Sequence, residues 1–372
     1  MMMTPLYQYF LNKITGVRIA AGIASTLSIL GSLLIIITFC LFPHVRRTKV
    51  RQILLHISIM DLGVALANLT GSIVYFDHYY YSYSNDTITW KENVSHAVNV
   101  SCKTQAFVAM YSTYGSIFWT NWLAVFLYFT VVYHYNPSIS NWVLRLGYII
   151  CYLGPLCLCV WFLCTDRLSF NPYGSAGWCT LVTVNVERNA SDSSVAKNYI
   201  ATTFGYDLWI YLTFILVPVL FIGTRSHISM ELSGTKNLIS KDKLWTAVHN
   251  VDFKFILVPI TFIFLRIWTC ILTVFLVYIG LPFIGKVPHS ADGAIIALIG
   301  LAAVGDSGQG AANAIIFVFF TKKNLELIAH NIYDLPVIEF GFKTFNHEEK
   351  GIIMISDVFF MRISYLEPAK SQ

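Results

Sequence analysis

Four charged side chains interrupt long apolar stretches of this sequence: Asp61, Asp207, Arg266 and Asp306. An ionised group surrounded by hydrocarbon is costly unless paired, so each marks a candidate functional position. Arg266 and Asp306 lie at comparable depth, about 20 Å from one end of their segments at about 1.5 Å per helical residue. Antiparallel neighbours could bring them together. The spacing predicts an Arg266–Asp306 ion pair, or an Arg266–Asp61 contact if the segment carrying Asp61 intrudes. Such a pair either orders a bundle permanently or acts as a lock that is broken and remade. Gln309, Gly310 and Asn313 share one helical face. Glycine permits close helix approach and the amides can hydrogen-bond across helices. They either pack their segment against a neighbour or rearrange with Asp61.

Other chemistries lack their residues. The sequence carries no His/Glu metal motif, Ser/His/Asp set or Walker loop in its polar loops, so no metal, cofactor or enzymatic activity is expected. No lysine occurs between Lys286 and Lys322, which excludes a retinal Schiff base in the last apolar segment. The few carboxylates form no chain suited to proton relay or ion coupling.

The elements that hold these groups are seven apolar segments, at roughly 16–42, 53–77, 104–133, 143–165, 203–224, 253–279 and 292–320. Each reaches the ~20 helical residues that cross about 30 Å of hydrocarbon. The composition agrees, with 56% hydrophobic and 12% charged residues, against about 25% charged in soluble domains. The 372 residues therefore form one all-α, seven-transmembrane helix bundle over 16–320, with a short tail at 1–15 and a helix and tail at 321–372. Residues 1–15 lack a cleavable signal, so the first segment acts as the insertion signal. No internal repeat supports an inverted-repeat transporter. The net charge of +5 has no cluster suited to nucleic acid.

Orientation follows from charge and sequons. Arg46, Arg47, Lys49 and Arg51 follow the first segment, while Lys13 and Arg18 precede or begin it. The positive-inside rule puts the N-terminus outside and the C-terminus in the cytoplasm. Sequons at Asn85, Asn93, Asn99 and Asn189 all fall on the outer side and predict glycosylation there. Cys102 begins the third segment and Cys179 lies in the fourth-to-fifth loop. Both face an oxidising compartment, which favours a disulfide over two free thiols. Pro218 and Pro259 remove helix hydrogen bonds and permit kinks in segments five and six.

More specific patterns run along the chain. Segment two has Leu54-Leu55-x-x-Ser58-x-x-Asp61-Leu62, and segment three opens with Cys102-x-x-Gln105 and continues through Phe118-Trp119-Thr120. The outer loop has Gly177-Trp178-Cys179. Segment five offers Leu208-Trp209, Pro218 and His227-Ile228. Segment six has Lys254-x-x-Leu257-x-Pro259-x-x-Phe262-Ile263-x-Leu265-Arg266-x-Trp268, and segment seven Gln309-Gly310-x-Ala312-Asn313. In these residues the chain resembles the orphan G-protein-coupled receptor family numbered one hundred and fifty-seven, related to the slime-mould cyclic-AMP receptors and more loosely to secretin-like receptors. The resemblance covers roughly residues 16–330. Segment three ends in Tyr128-Phe-Thr-Val-Val-Tyr133 rather than Asp-Arg-Tyr, and segment seven lacks Asn-Pro-x-x-Tyr, which removes the rhodopsin-like class.

The resemblance implies a plasma-membrane receptor that passes an unidentified extracellular ligand's signal to a heterotrimeric G protein. A seven-span transporter or channel is the alternative, and it would need a continuous polar path. The ligand pocket is expected among Trp119, Trp178, Asp207, Trp209 and Trp268, beneath the tethered outer loop. The switch network is expected among Asp61, Arg266, Asp306, Gln309 and Asn313. The G-protein face is expected at Arg46, Arg47, Arg225, Lys241, Lys243 and Lys254, and at an amphipathic helix beginning over 321–331. A basic rim of this kind also attracts anionic lipid of the bilayer.

Overall fold

In lipid every backbone amide must be satisfied within its own segment, so long apolar runs fold as helices. A computed structural model describes residues 5–74, 81–84, 87–90, 95–132, 137–170, 178–181, 205, 207–234, 257–274, 289–319, 337–340, 352–356 and 359–364. Side chains are described over a smaller set. The helices are α1 (Pro5–Leu41), α2 (Pro43–Arg46), α3 (Lys49–Val74), α4 (His96–Val132), α5 (Pro137–Cys164), α6 (Leu208–Gly234), α7 (Leu257–Val274), α8 (His289–Ser307) and α9 (Gln309–Phe319). Five stretches are long and apolar enough to cross a membrane, and two shorter apolar helices lie at Leu208–Thr224 and Ile296–Ser307. Each of the seven expected segments is thus helical over its described residues, and the chain is a helical membrane bundle.

Helix α4 is the central post. It packs against α3, α5, α6 and α7, while α1 packs on α3 and α8, and α8 on α7. Its burial extends around the helix: Ala106, Tyr114, Ile117, Trp119 and Leu123 are all fully buried. Helix α1 instead turns Ile19, Ile23, Leu27, Leu30 and Ile37 outward, an apolar stripe that fits lipid.

One feature differs from the sequence expectation. The seventh segment is not one helix: it bends at Gly308, between α8 and α9. Pro259 lies near the start of the described part of segment six, which begins at Leu257. Pro218 does sit inside α6, and Pro155 inside α5.

Two of the connections between helices contain short antiparallel pairs. Strand β1 (Tyr81–Ser84) pairs with β2 (Thr87–Trp90), setting Tyr81 opposite Trp90 and Ser84 opposite Thr87. The alternating Tyr-Ser-Tyr-Ser and Thr-Ile-Thr-Trp suit a ribbon. Strand β3 (Leu168–Phe170) pairs with β4 (Cys179–Leu181), Phe170 opposite Cys179. It is launched by Asp166 in the left-handed region at φ 53°. There the Arg167 N–H donates back to the Phe162 carbonyl at 2.9 Å, which ends α5 sharply.

Residues Met1–Phe317 form one compact unit and Val318–Gln372 a second. In the second unit the described residues form a three-stranded antiparallel sheet of β5 (Val337–Phe340), β6 (Ile352–Ser356) and β7 (Phe359–Ser364), in the order β5–β7–β6. The runs Ile-Ile-Met-Ile and Phe-Phe-Met-Arg-Ile explain the strands, being β-branched and aromatic. The helix expected over 321–331 lies outside the described residues.

Candidate functional site

The intramembrane charges converge on the seventh segment. Arg266 of α7 donates from Nη1 to Asp306 Oδ1 of α8 at 2.7 Å. Thr269, about one turn along α7, donates from Oγ1 to the same oxygen at 2.8 Å. The Arg266 side chain is 1% exposed and Asp306 19%. The guanidinium also lies over the Phe262 ring, 5.7 Å from its centroid. Close approach is possible because residue 305 is glycine: a Cβ there would collide with the carbonyl oxygen of Leu265.

Asp61 does not contact Arg266 directly, although Arg266 is within its electrostatic reach. Its Oδ1 accepts from Ser116 Oγ of α4 and its Oδ2 from Asn313 Nδ2 of α9, each at 2.7 Å. Asn68 Nδ2 donates to Ser307 Oγ at 3.1 Å. The Gly310 N–H donates to Ser28 Oγ of α1 at 2.9 Å, and a Cβ at Gly310 would overlap Ser28 and Ser32. The bend at Gly308 lets neighbouring residues of one segment address three helices. Asp306 goes to α7, Ser307 and Asn313 to α3, and Gly310 to α1, while Ser116 completes the Asp61 cluster from α4.

The Gln309 amide, 2% exposed, has no partner among the described residues, and neither do Asn313 Oδ1, Ser25 Oγ or Ser32 Oγ. Each unmet buried group costs about 1–3 kcal/mol, so this corner gains from exchanging partners. Asp61→Asn is expected to destabilise the folded protein by about 1–3 kcal/mol, because an amide at 61 cannot accept from both Ser116 and Asn313 with both of its terminal atoms. Thermal unfolding of the purified variant measures this, and an unchanged midpoint would show that the Asp61 cluster adds nothing to stability.

The described part of the loop between α5 and α6 is fastened at three points. Cys102 and Cys179 form a disulfide, with Cα atoms 5.5 Å apart. Gln105, one turn along α4, accepts from the Cys179 N–H at 3.0 Å and donates to the Ala67 carbonyl of α3 at 3.0 Å. Trp178 is 6% exposed and buries itself among Val17 and Ala21 of α1, Leu272 of α7 and Ile299 and Ala303 of α8. Gly71 of α3 makes room for it: a Cβ at 71 would lie 3.1 Å from Trp178 Cα and closer still to its Cβ.

The five aromatic and acidic residues expected to line one pocket occupy three places. Trp178 packs with Trp268 in the cleft between α1, α3, α7 and α8. Trp209 lies beside Phe118, ring centroids 4.8 Å apart, where α6 meets α4. Asp207, 7% exposed, precedes α6 and is within electrostatic reach of Cys270 on α7. Trp119 turns elsewhere: it is fully buried and stacks on His56 at 4.7 Å. The two His56 ring nitrogens bond the Tyr148 hydroxyl at 3.0 Å and the Tyr152 hydroxyl at 2.8 Å. A neutral imidazole meets both by donating to one and accepting from the other.

On the basic rim, Arg46 is occupied: its Nε donates to the Phe39 carbonyl at 2.9 Å and its terminal nitrogen to that of Cys40. It therefore caps the carbonyl end of α1. Arg47 is exposed. Only the backbone of Arg225 is described; Lys241, Lys243 and Lys254 lie outside the described residues, as do Asn85, Asn93 and Asn189. Asn99 is placed in the first turn of α4, its N–H donating to the Ser95 carbonyl at 3.1 Å.

Sequence reasoning did not single out His56, Gln105, Ser28, Asn68, Ser116 or Thr269 as site residues. Their signal was polarity within apolar segments, which is not selective for small Ser and Thr because these also bond their own helix. Ser58, for example, donates to the Leu54 carbonyl at 2.9 Å.

No family model matches the sequence. Curated relatives do. The chain is 25% identical over 310 residues to human G-protein coupled receptor 157, covering 82% of this chain and 81% of that protein. It is 27% identical over 311 residues to the rat protein and 26% over 311 to the mouse protein, covering 82% of each chain in both cases. Among solved structures, squid rhodopsin matches with a TM-score of 0.57 at 11% identity, over 86% of this chain and 85% of that one. That likeness concerns the fold.

Proposed function

We propose that this chain, which belongs with the G-protein coupled receptor 157 family, works as a G-protein-coupled receptor through the network joining Arg266, Asp306, Asp61 and Asn313. It is a multi-pass membrane protein. The reading places the N-terminus outside the cell, the basic loops in the cytoplasm and the receptor in the plasma membrane. Activation is then a population shift between two arrangements of the bundle, biased by a ligand that fits one better. The observation that carries this reading is the convergence of α1, α3 and α7 on the bent seventh segment, with α4 joined to it through the Ser116–Asp61 bond. Small helix displacements there must exchange hydrogen-bond partners rather than deform continuously. Nothing in the relatives or the fold favours a transporter or channel.

The outer half supports a ligand site smaller than the sequence suggests. Trp178 fills the cleft between α1, α3, α7 and α8, and Trp119 faces the His56 cluster. Space for a ligand is sought at the other side, where α4, α6 and α7 meet beneath β4. On the inner side, Arg47 is the described basic side chain suited to a G protein, since Arg46 caps α1.

The test is basal activation of a panel of heterotrimeric G proteins by the surface-verified chain, with Arg266→Ala as control. A signal through at least one subtype, changed at least several-fold by the control, is expected. Activity through none, at expression equal to a reference receptor and with a fully glycosylated surface pool, would overturn the receptor reading.

A further inference from the structure

Arg145 of α5 lies inside the stretch Ile139–Cys164, which is long and apolar enough to cross a membrane. Its side chain is exposed and makes no hydrogen bond or ion pair with the described residues. One turn before it on the same side of α5 is Trp142, one turn after it is Ile149, and Leu153 follows. All three are more than half exposed. That side of the helix fits lipid, so the guanidinium stem starts at hydrocarbon and not in the protein interior. A charge there is costly unless it finds a partner, and a long stem lets it reach the headgroup layer.

Arg145 also borders the flank of α5 that carries Tyr148 and Tyr152, one and two turns on. That flank runs along α3. His56 bonds the Tyr148 hydroxyl at 3.0 Å and the Tyr152 hydroxyl at 2.8 Å, and Lys49 donates from Nζ to Ser140 Oγ at 3.1 Å. Lys49, Gln52 and His56 share the matching flank of α3. Gln52 is occupied, donating to the Arg46 carbonyl at 2.8 Å. The Lys49 ammonium keeps donors to spare beyond Ser140. Two cations, Lys49 and Arg145, therefore stand at the mouth of the seam between α3 and α5. The helices around this mouth supply no anion. The sequence has no Asp or Glu from Met1 to Met60 or from Asn93 to Thr165, which covers α1, α2, α4, α5 and the first part of α3. Asp61, further along α3, is committed to Ser116 and Asn313. The mouth lies at the end of the bundle where α4 finishes, opposite the Cys102–Cys179 disulfide near its start.

We propose that Lys49 and Arg145 bind the headgroup of a membrane lipid that carries a phosphate monoester, seated at the mouth of the α3–α5 seam with its acyl chains along Ile149 and Leu153. A guanidinium fork suits phosphate oxygens, and an ammonium adds a point charge beside it. Ser140 is a positioning residue that holds Lys49 against α5. The occupant is a lipid and not a soluble protein, because the neighbours of Arg145 on its own side are Trp142 and Ile149, which face the bilayer. The site goes beyond the receptor reading and requires none of it.

The experiment uses the purified full chain in detergent micelles holding equal amounts of phosphatidylinositol 4-phosphate and phosphatidylinositol, which differ only in the phosphate monoester. Native mass spectrometry reads the ratio of the two bound lipids. The phosphate-bearing lipid is expected to be favoured about tenfold, and Arg145→Ala or Lys49→Gln should each lower that preference about fivefold. Arg145→Gln carries the same test should Arg145→Ala fail to fold. Lys103→Ala, which removes a lysine paired with Asp166 at the opposite end of the bundle, should leave the ratio unchanged. The deacylated headgroup, glycerophosphoinositol 4-phosphate, should displace little of the lipid at equal concentration. Equal retention of the two lipids, a preference that survives the Arg145 and Lys49 variants, or an equal loss in Lys103→Ala would each overturn the proposal. Full displacement by the deacylated headgroup would show a free phosphate site and overturn the lipid assignment. The readout is binding, so a chain that favours the phosphate-bearing lipid and activates no G protein keeps this site and sinks only the receptor reading.

Discussion

Arg266→Ala is expected to destabilise the bundle by about 3–5 kcal/mol, the largest loss from any single polar substitution in it. The guanidinium is almost fully enclosed. Removing it strands Asp306, whose Oδ1 keeps only the Thr269 hydroxyl. Asp306→Ala takes the 2.7 Å carboxylate partner from the arginine in turn. The double variant leaves neither charge unmatched, so its loss should fall short of the sum by about 1–3 kcal/mol. Arg266→Lys should rescue only in part, since an ammonium is a compact point charge and not a planar fork. Thermal and denaturant unfolding of the four purified proteins complete the cycle. Strictly additive losses would mean that the two residues act independently, and the lock would have no physical basis.

Trp178→Ala is expected to cost about 3–5 kcal/mol as well, the usual range for emptying a buried tryptophan site. A second effect should accompany it. The indole, the Gln105 clamp and the disulfide hold one loop, so removing the indole should expose Cys102 and Cys179, both fully buried in the intact protein. Dithiothreitol should then reduce the disulfide several-fold faster. Gly71→Leu provides the independent check, because it leaves Trp178 in the chain and evicts it by overlap. It should reproduce both effects. An unchanged midpoint and an unchanged reduction rate in both variants would show that the tryptophan is not what seats the loop.

What could be read from the sequence followed from expensive residues. Arg266 and Asp306 were legible because charges in hydrocarbon have few places to go, and equal depth in antiparallel neighbours left little choice. Cys102 and Cys179 were legible because compartment and position agreed. The rotation of a helix about its axis is another matter. Segment three is buried nearly all around, so no polar face announces which way Trp119 turns, and it was grouped with Trp209 when it belongs with His56. The bend at Gly308 does not follow from the length and apolarity that mark segment seven as a span, although Gly305, Gly308 and Gly310 lie close together in it. The strands of the second unit were missed because short apolar runs fit a surface helix and a ribbon alike.

The bend has a mechanical corollary. Helix α8 is fastened to α7 by Asp306 and by the tight seat of Gly305, and it also packs on α1 and reaches α3 through Ser307. Helix α9 is fastened to α1 by Gly310 and to α3 by Asn313. A tilt of α7 therefore pulls α8 directly and reaches α9 only through the bend and the neighbours that the two pieces share. The two pieces are a pair of short levers on a common pivot, so the two ends of the bundle need not change state at the same moment.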